Sequence, residues 1–114
     1  MCDGYFITAA DAPQVEMLEG VHRRTMATTD EAMLCEFFLE TRAVVPPHSH
    51  TNDQVGYVVS GAIEVTIGGE KRGLKAGESY AVPGGIQHSV VALEDSLVID
   101  VFSPPRNDYR TEAR

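Results

Sequence analysis

The sequence has no tryptophan, and aromatic residues make up only 7% of its 114 residues. It is also poor in positive charge, because 9 Lys and Arg stand against 17 Asp and Glu, for a formal net charge of -8. Proteins that bind nucleic acid need a positive surface for the phosphates and aromatic side chains on which bases stack. The composition therefore argues against nucleic acid as a partner.

Long apolar runs are absent as well. A helix that spans a bilayer needs ~20 consecutive apolar residues, and here Gly, Pro or a charged residue interrupts every apolar stretch within a few positions. We therefore expect no membrane partner. The first residues, MCDGYFITAADAP, lack the cationic start and apolar centre of a secretion signal, so the expected location is the cytoplasm.

Cysteine is scarce, with Cys2 and Cys35 as the only two. A single pair is too few to indicate the disulfide framework of a small secreted domain. We interpret Cys2 as a terminal thiol and Cys35 as a small buried hydrophobe, in preference to a redox pair. The chain length predicts one domain over residues 1–114.

No segment has a sustained helical period, and residues 11–18 are expected to form a helical turn or two at most. Apolar residues instead alternate with polar ones between frequent Gly, Pro and Asp, which predicts an all-β antiparallel sandwich or small barrel. The Gly68-Gly69 pair predicts a two-residue hairpin. Strands are predicted at residues 5–8, 21–27, 33–40, 55–60, 62–67, 70–74, 80–82, 87–93 and 97–102.

Histidines occur in two short segments beside predicted turns. In PPHSHTNDQVGYVVSG, His48 and His50 stand two residues apart and so project from the same side of an extended chain, with Gln54 four residues further on. In GESYAVPGGIQHSVV, a turn leads to His88 at the start of a strand. Neutral imidazole is the commonest metal ligand, but a His-x-His pair by itself does not establish a metal site.

Together the two segments resemble the signature motifs of the cupin superfamily, small jelly-roll β-barrels that hold a divalent metal ion. The first motif covers about residues 42–61 and the second about residues 77–92. Arg42, Gln54 and Ala92 depart from the family pattern, which usually has Gly, Glu and Asn there. The positions that match the family's spacing are His48, His50 and Gly61 in the first motif and Gly77, Pro83, Gly85 and His88 in the second.

This resemblance implies one divalent transition metal ion per chain. Such ligands suit nickel, zinc, iron, cobalt and manganese alike, so the metal's identity stays open. Because Gln54 is neutral, the ion's charge would be uncompensated, which favours anionic chelating substrates and argues against dioxygenase chemistry. The alternative is a barrel that has these histidines but binds no metal. The implied ligands are His48, His50, Gln54 and His88.

The C-terminal segment LVIDVFSPPRNDY places a charge, Asp100, among apolar residues on the same strand face as Phe102. If that face lines the barrel, burial raises the pKa of Asp100 and suits it to proton transfer. The alternative is a hairpin-end residue paired with a neighbouring cation, and the pattern alone leaves both open. Arg106, in an extension over residues 104–114, is placed to clamp a substrate carboxylate.

This ending, with the preceding ALED turn, is similar to the pectin-degradation branch of single-domain cupins. The resemblance implies conversion of 4,5-unsaturated monouronates to linear 5-keto-4-deoxyuronates, with a small anionic sugar acid as the partner molecule. It implies catalytic roles for Asp100 and Arg106 and substrate contacts for Phe102 and Arg106. We add Tyr57 as a substrate-contacting hydroxyl; Tyr80 is a second possibility, and aromatic core filling is the alternative for both.

Two other functions stay open at this stage. One is a different metal-dependent cupin enzyme, a dioxygenase, isomerase or decarboxylase of another small acid. The other is a non-catalytic module that binds a sugar acid. His22 lies outside both motifs, and we interpret it as a solvated strand residue. A homodimer is predicted, because two strands would otherwise expose apolar rows, at Leu97, Ile99 and Val101 and at Ile63, Val65 and Ile67.

Overall fold

Antiparallel strands make up most of residues 4–110, the part of the chain that the computed structural model describes. Two short 3₁₀ helices, Ala9–Asp11 and Asn107–Tyr109, flank them. The strands are β1 (Val15–Leu18), β2 (Val21–Thr28), β3 (Met33–Leu39), β4 (Val44–His48), β5 (Asp53–Ser60), β6 (Ala62–Ile67), β7 (Glu70–Lys75), β8 (Ser79–Val82), β9 (His88–Ala92) and β10 (Ser96–Ser103).

The strands form two sheets that pack against each other. The larger has the order β1-β2-β3-β10-β5-β8 and the smaller the order β4-β9-β6-β7. The predicted all-β antiparallel jelly roll is confirmed, although the sheets lie as two layers and do not close into one continuous barrel. Side chains from both layers meet in a core of Val21, Leu39, Val58, Ile63, Val65, Ala92 and Val98.

Strand alternation decides which side chains enter this core. In β10, Val98, Asp100 and Phe102 are buried, whereas the residues between them are only half-buried on the opposite face. β5 alternates in the same way, with Gln54, Gly56 and Val58 on its inner face. Because each fully buried Val or Ile contributes ~1.5–3 kcal/mol, a shift of one residue in register would cost most of the core.

The Gly68-Gly69 hairpin between β6 and β7 is confirmed. Both glycines have positive φ, 56° and 87°, as the tightest hairpin turn requires, and Ile67 pairs with Glu70 across it. Arg42, at the position where cupins usually have Gly, also has a positive φ of 72°. The backbone at this position is therefore left-handed, a conformation that glycine adopts without strain.

Three local predictions were wrong. Residues 5–8 form no strand, and Val15–Leu18 forms β1 in place of a helical turn because it pairs with β2. The sequence also gave no indication of β4, whose Pro46 and Pro47 argue against a strand. β4 tolerates them because it is an edge strand with an irregular register between Val45 and His48.

The predicted apolar rows on the surface are half right. Ile63 and Val65 are 0% and 3% exposed, so the prediction that they face outward was wrong. The outward row of β10 exists, and the outward residues of the neighbouring β5 extend it. We call this surface the outer apolar face: Phe38, Val55, Tyr57, Val59, Leu97, Ile99 and Val101.

Two further residues outside the motifs can be placed. Cys35 is buried, and burial raises the pKa of its thiol to about 11, as expected of a small hydrophobe; Cys2 lies outside the described residues. His22 is not solvated as predicted: its side chain is half-buried and hydrogen-bonds Glu40 at 2.8 Å. Across residues 4–110, no helix has the length and apolarity needed to cross a membrane.

Candidate metal centre and the adjoining cavity

Three histidines come together at one end of the two sheets. His48 ends β4 and His88 begins β9, and the two are direct partners in the strand register. Their ring centroids lie 4.2 Å apart, and the ring of His50 lies 4.9 Å from that of His88. The two motifs that were separate in the sequence therefore meet in one cluster.

Each of these imidazoles is oriented by a backbone carbonyl within its own segment. The Nδ1 atoms of His48, His50 and His88 lie 2.9, 3.1 and 2.9 Å from the carbonyl oxygens of residues 46, 52 and 86. Because a carbonyl only accepts, Nδ1 must carry the hydrogen, and the Nε2 lone pair is left for another partner. This is the usual arrangement around a metal-binding histidine.

The Nε2 side of the cluster fits a cation. The three histidines each offer a ligand atom within 4.8 Å of the others, and Nε2 of His88 is buried without a hydrogen-bond partner among the described residues. Burial is the largest cause of a lowered pKa at both His50 and His88, which keeps the rings neutral as metal binding requires. His48, His50 and His88 thus form a group able to bind a metal ion.

Gln54 adjoins this group from β5. Its side chain is buried, and its Oε1 lies 3.0 Å from Nε2 of His50. With the hydrogen on Nδ1, both of these atoms are acceptors, and a cation between them removes the conflict. The Gln54 side chain also interacts with the Asp100 carboxyl group and lowers its pKa.

A small cavity of about 60 Å³ opens beside the histidines. The inner faces of both sheets form its walls, and the C-terminal segment closes part of its mouth. Its polar lining residues are His48, Gln54, Tyr80, His88, Asp100, Arg106 and Tyr109, set among apolar residues that include Phe37, Val90 and Phe102.

Asp100 is a buried carboxyl group in this cavity, only 4% exposed. It lies in the middle of β10, and its Oδ1 accepts a 2.6 Å hydrogen bond from the Tyr80 hydroxyl. Burial raises the pKa of Asp100 to about 6, against the opposing effect of the hydrogen bonds from Tyr80 and Gln54. The alternative of a hairpin-end residue paired with a cation does not fit this position.

The C-terminal segment brings Arg106 to the cavity. Its guanidinium lies 4.1 Å from the ring centre of Tyr109 and 5.7 Å from that of Phe102, and it bonds Asp108 through Nε and a terminal nitrogen. Tyr109 is buried, and its carbonyl accepts a 2.6 Å hydrogen bond from Thr25. Arg106 is therefore positioned at the mouth by stacking and by an ion pair.

Tyr57 is the predicted substrate-binding residue that the structure does not bring to the cavity. It is 48% exposed on the outer apolar face, so the predicted substrate contact was wrong. Strand parity was the available signal, because Gln54 and Tyr57 are three residues apart on β5 and must face opposite ways. The tyrosine that does line the cavity is Tyr80, whose link to Asp100 sequence reasoning missed.

Known proteins have the same architecture and a similar sequence. The structure superposes on an RmlC-like cupin from Shewanella frigidimarina NCIMB 400 with a TM-score of 0.91 and 28% identity, over 96% of this chain and 98% of that one. The family model for the cupin domain matches residues 36–102. The chain belongs to the cupin family. The matched residues include the histidine cluster, Gln54 and Asp100.

Two relatives narrow the position of this cupin within the family. It is 39% identical over 107 residues to the pectin degradation protein KdgF of Dickeya dadantii (strain 3937), across 92% of this chain and 96% of that protein. The structure of KdgF from Halomonas sp. is similar with a TM-score of 0.88 and 41% identity, over 94% of this chain and 99% of that one. The similarity thus extends beyond the two cupin motifs.

Proposed function

We propose that this cupin opens the ring of 4,5-unsaturated monouronates and releases linear 5-keto-4-deoxyuronates. The observation that carries the proposal is a buried carboxyl group, Asp100, that lines one cavity together with Arg106 and two histidines of the three-histidine cluster. Similarity over nearly the whole chain to a pectin degradation protein supports the substrate class.

The proposed ligands of a divalent transition metal ion are His48, His50, His88 and the carboxamide oxygen of Gln54. All four donors are neutral, so a bound ion supplies a full positive charge at which oxyanions of the substrate are stabilised. Anionic sugar acids match that charge. The same donors accept several first-row metals, and the proposal does not depend on which one is bound.

Asp100 is the proposed proton carrier. Ring opening takes the proton from the C1 hydroxyl, breaks the bond between C1 and the ring oxygen, and leaves an enol at C5; protonation of C4 and loss of the enol proton then give the C5 ketone. Atoms and electrons balance without an oxidant or reductant. With a pKa of about 6, Asp100 can both accept and donate a proton near neutral pH.

Arg106 and Phe102 are the proposed substrate-binding residues. Arg106 brings a positive charge to the mouth, where it can bind the C6 carboxylate while Asp108 and the Tyr109 ring hold its side chain in place. Phe102 lies fully inside and packs edge-to-face against the His50 ring. We propose that it forms the apolar wall for one face of the sugar ring.

The test follows the absorbance of the substrate's C4=C5 double bond. A purified unsaturated monouronate is mixed with protein loaded with each candidate metal in turn, and a sample without protein measures spontaneous ring opening. Faster loss of absorbance with the protein supports the proposal, and rates equal to the spontaneous one with every metal reject it. Binding of the monouronate without turnover would instead indicate a non-catalytic module, and oxygen consumption would indicate a dioxygenase.

We also propose that the protein acts as a homodimer joined through the outer apolar face. Four of its side chains are each at least 40% exposed: Phe38 on β3 and Val55, Tyr57 and Val59 on β5. Strand β10 lies between β3 and β5 in the same sheet. Contiguous apolar surface of this kind is uncommon on a monomer. Light scattering should give twice the 12.4 kDa chain mass, and a particle of 12.4 kDa at micromolar concentration would contradict the proposal.

A further inference from the structure

Tyr80 and Asp100 meet across a strand that lies between theirs. In the larger sheet, β5 separates β8 from β10, and Gly56 of β5 is the register partner of both Tyr80 and Asp100. Strands two positions apart are separated by about 9.5 Å. Their side chains can therefore meet only above a residue that leaves the space over the middle strand open.

Gly56 leaves that space open. A Cβ atom on Gly56 would lie 2.2 Å from the ring carbon Cζ of Tyr80 and 2.3 Å from Oδ1 of Asp100, closer than real Cβ contacts allow. Gly56 does not have a positive φ, so its backbone conformation is open to other residues. Glycine is needed here because a larger residue would displace the two side chains whose 2.6 Å hydrogen bond passes over it.

This hydrogen bond holds the Asp100 carboxyl group from β8, the strand beyond β5. Tyr80 reaches it from β8, while Gln54 of β5, whose Oε1 lies beside His50, also interacts with it and lowers its pKa. Two partners on different strands oppose rotation of the carboxyl group about its last side-chain bond. A buried group that must exchange protons with a bound sugar benefits from such a fixed orientation.

We propose that Tyr80 is a positioning residue for the reaction: its hydroxyl holds the Asp100 carboxyl group toward the cavity, and Gly56 makes their contact possible. This inference rests on the proposed function, in which Asp100 carries the proton. A tyrosine that only filled the core would contribute through its ring, and removal of its hydroxyl would not change turnover.

The first test is Tyr80→Phe, which keeps the ring and removes the hydroxyl. The kcat for ring opening should fall by roughly tenfold to a hundredfold, the range for a lost hydrogen bond to a charged group. KM and the metal content by elemental analysis should stay near the wild-type values, because Tyr80 is not among the proposed ligands or substrate contacts. A kcat equal to that of the wild type would overturn the inference.

A double-variant cycle asks whether Tyr80 acts through Asp100. In the Asp100→Asn background, Tyr80→Phe should cause little further loss of kcat, since the group that it positions has gone. The melting temperatures of the metal-free proteins should be non-additive in the same way, which provides a readout that needs no turnover. Losses that multiply in the double variant would assign Tyr80 a separate, merely structural role.

The second test is Gly56→Ala, which keeps both functional groups and forces them apart. Its kcat should fall as far as that of Tyr80→Phe. Gly73→Ala is the matched control, because Gly73 also lies in a strand without positive φ and an added Cβ there meets no atom within 4 Å. If Gly56→Ala does not fold, the double-variant cycle of Tyr80→Phe and Asp100→Asn still tests whether Tyr80 positions Asp100.

The failure of this inference and that of the proposed function look different. If the wild type does not accelerate ring opening, the proposed function is wrong and the positioning role falls with it. If the wild type and Tyr80→Phe turn over equally fast while Asp100→Asn is slow, the function stands and only the role of Tyr80 is wrong.

Discussion

Strands β5 and β10 carry opposite kinds of side chain on their two faces. The inner face presents the Gln54 amide and the Asp100 carboxyl group to the cavity among buried apolar side chains, whereas the outer face presents aliphatic and aromatic side chains toward solvent. Soluble proteins usually have the reverse distribution, so a buried polar group and an exposed apolar patch are the informative exceptions. The comparison suggests chemistry on one face and association on the other.

The largest loss of activity is expected from a substitution in the histidine cluster, which adjoins the inner face. His88→Ala should abolish tight metal binding and, with it, ring opening, because the remaining donors cannot complete the coordination shell. Elemental analysis after gel filtration measures the metal per chain. His22→Ala, in the separate group of Glu16, His22 and Glu40 on the larger sheet, is the control and should keep the metal. Full metal content in His88→Ala would remove that residue from the ligand set.

The Asp100 carboxyl group should have the next largest effect. Asp100→Asn keeps the size of the side chain but cannot exchange a proton, so kcat should fall roughly a hundredfold or more while KM changes little. Glu36→Gln, an outward carboxyl group on the adjacent strand β3, is the matched control and should match the wild type. An Asp100→Asn variant with wild-type kcat would move the proton transfer to another group.

The same substitution should change stability with pH. The folded protein binds the Asp100 proton more tightly than the unfolded chain does, with pKa values of about 6 and 3.8, so ionisation opposes folding. Stability is therefore lost as pH rises through about 6. Metal-free Asp100→Asn should be more stable than metal-free wild type at pH 8, by about 3 kcal/mol.

Urea unfolding at several pH values measures this difference. The gain should shrink as the pH falls toward 4, where Asp100 is protonated in the folded wild type and the two proteins carry the same charge at this position. A stability difference that does not depend on pH would mean that the Asp100 carboxyl group ionises as readily in the cavity as in the unfolded chain.

Arg106 should have a smaller effect, expressed mainly in binding. Arg106→Ala removes a charge that contacts the substrate carboxylate in the ground and transition states alike, so KM should rise about tenfold with a smaller change in kcat. Steady-state kinetics on the monouronate separate the two constants. A fall in kcat at constant KM would instead place Arg106 in the chemical step.

The outer apolar face should have the smallest effect on turnover. Tyr57→Lys introduces a charge at the centre of the proposed dimer contact and should shift the particle toward a single chain in light scattering. Its kcat per chain should stay within about twofold of the wild type, since Tyr57 lies outside the cavity. Loss of activity together with the dimer would show that the two faces are not independent.

How far the sequence could predict this molecule depends on whether a feature is local or formed by pairing. Alternation correctly located eight of the ten described strands and the Gly68-Gly69 turn, because the period of a strand and the φ of a turn are properties of short segments. β1 and β4 were missed, since their extended form depends on neighbours far along the chain. β4 even contains two prolines.

The site shows the same limit. The motif histidines are neighbours in the sequence or follow a recognisable turn, so their spacing indicated them. The contact between Tyr80 and Asp100 joins residues 20 positions apart across a third strand, and nothing in either segment marks it. Tyr57 was wrongly assigned to the cavity because the prediction considered only its hydroxyl. Side chains alternate along β5, so an inward Gln54 requires an outward Tyr57.

The carbonyl anchors of the three histidines have a consequence for how this scaffold can be changed. Each imidazole is oriented by a backbone oxygen two residues away, whereas the groups that would recognise the substrate lie on β10 and the segment after it. The orientation of the three imidazoles is thus set by hydrogen bonds within their own segments, although Phe102 of β10 also packs against the His50 ring. Substitutions in the segment after β10, at residues 104–109, could therefore alter substrate recognition while the three imidazoles keep the backbone hydrogen bonds that orient them.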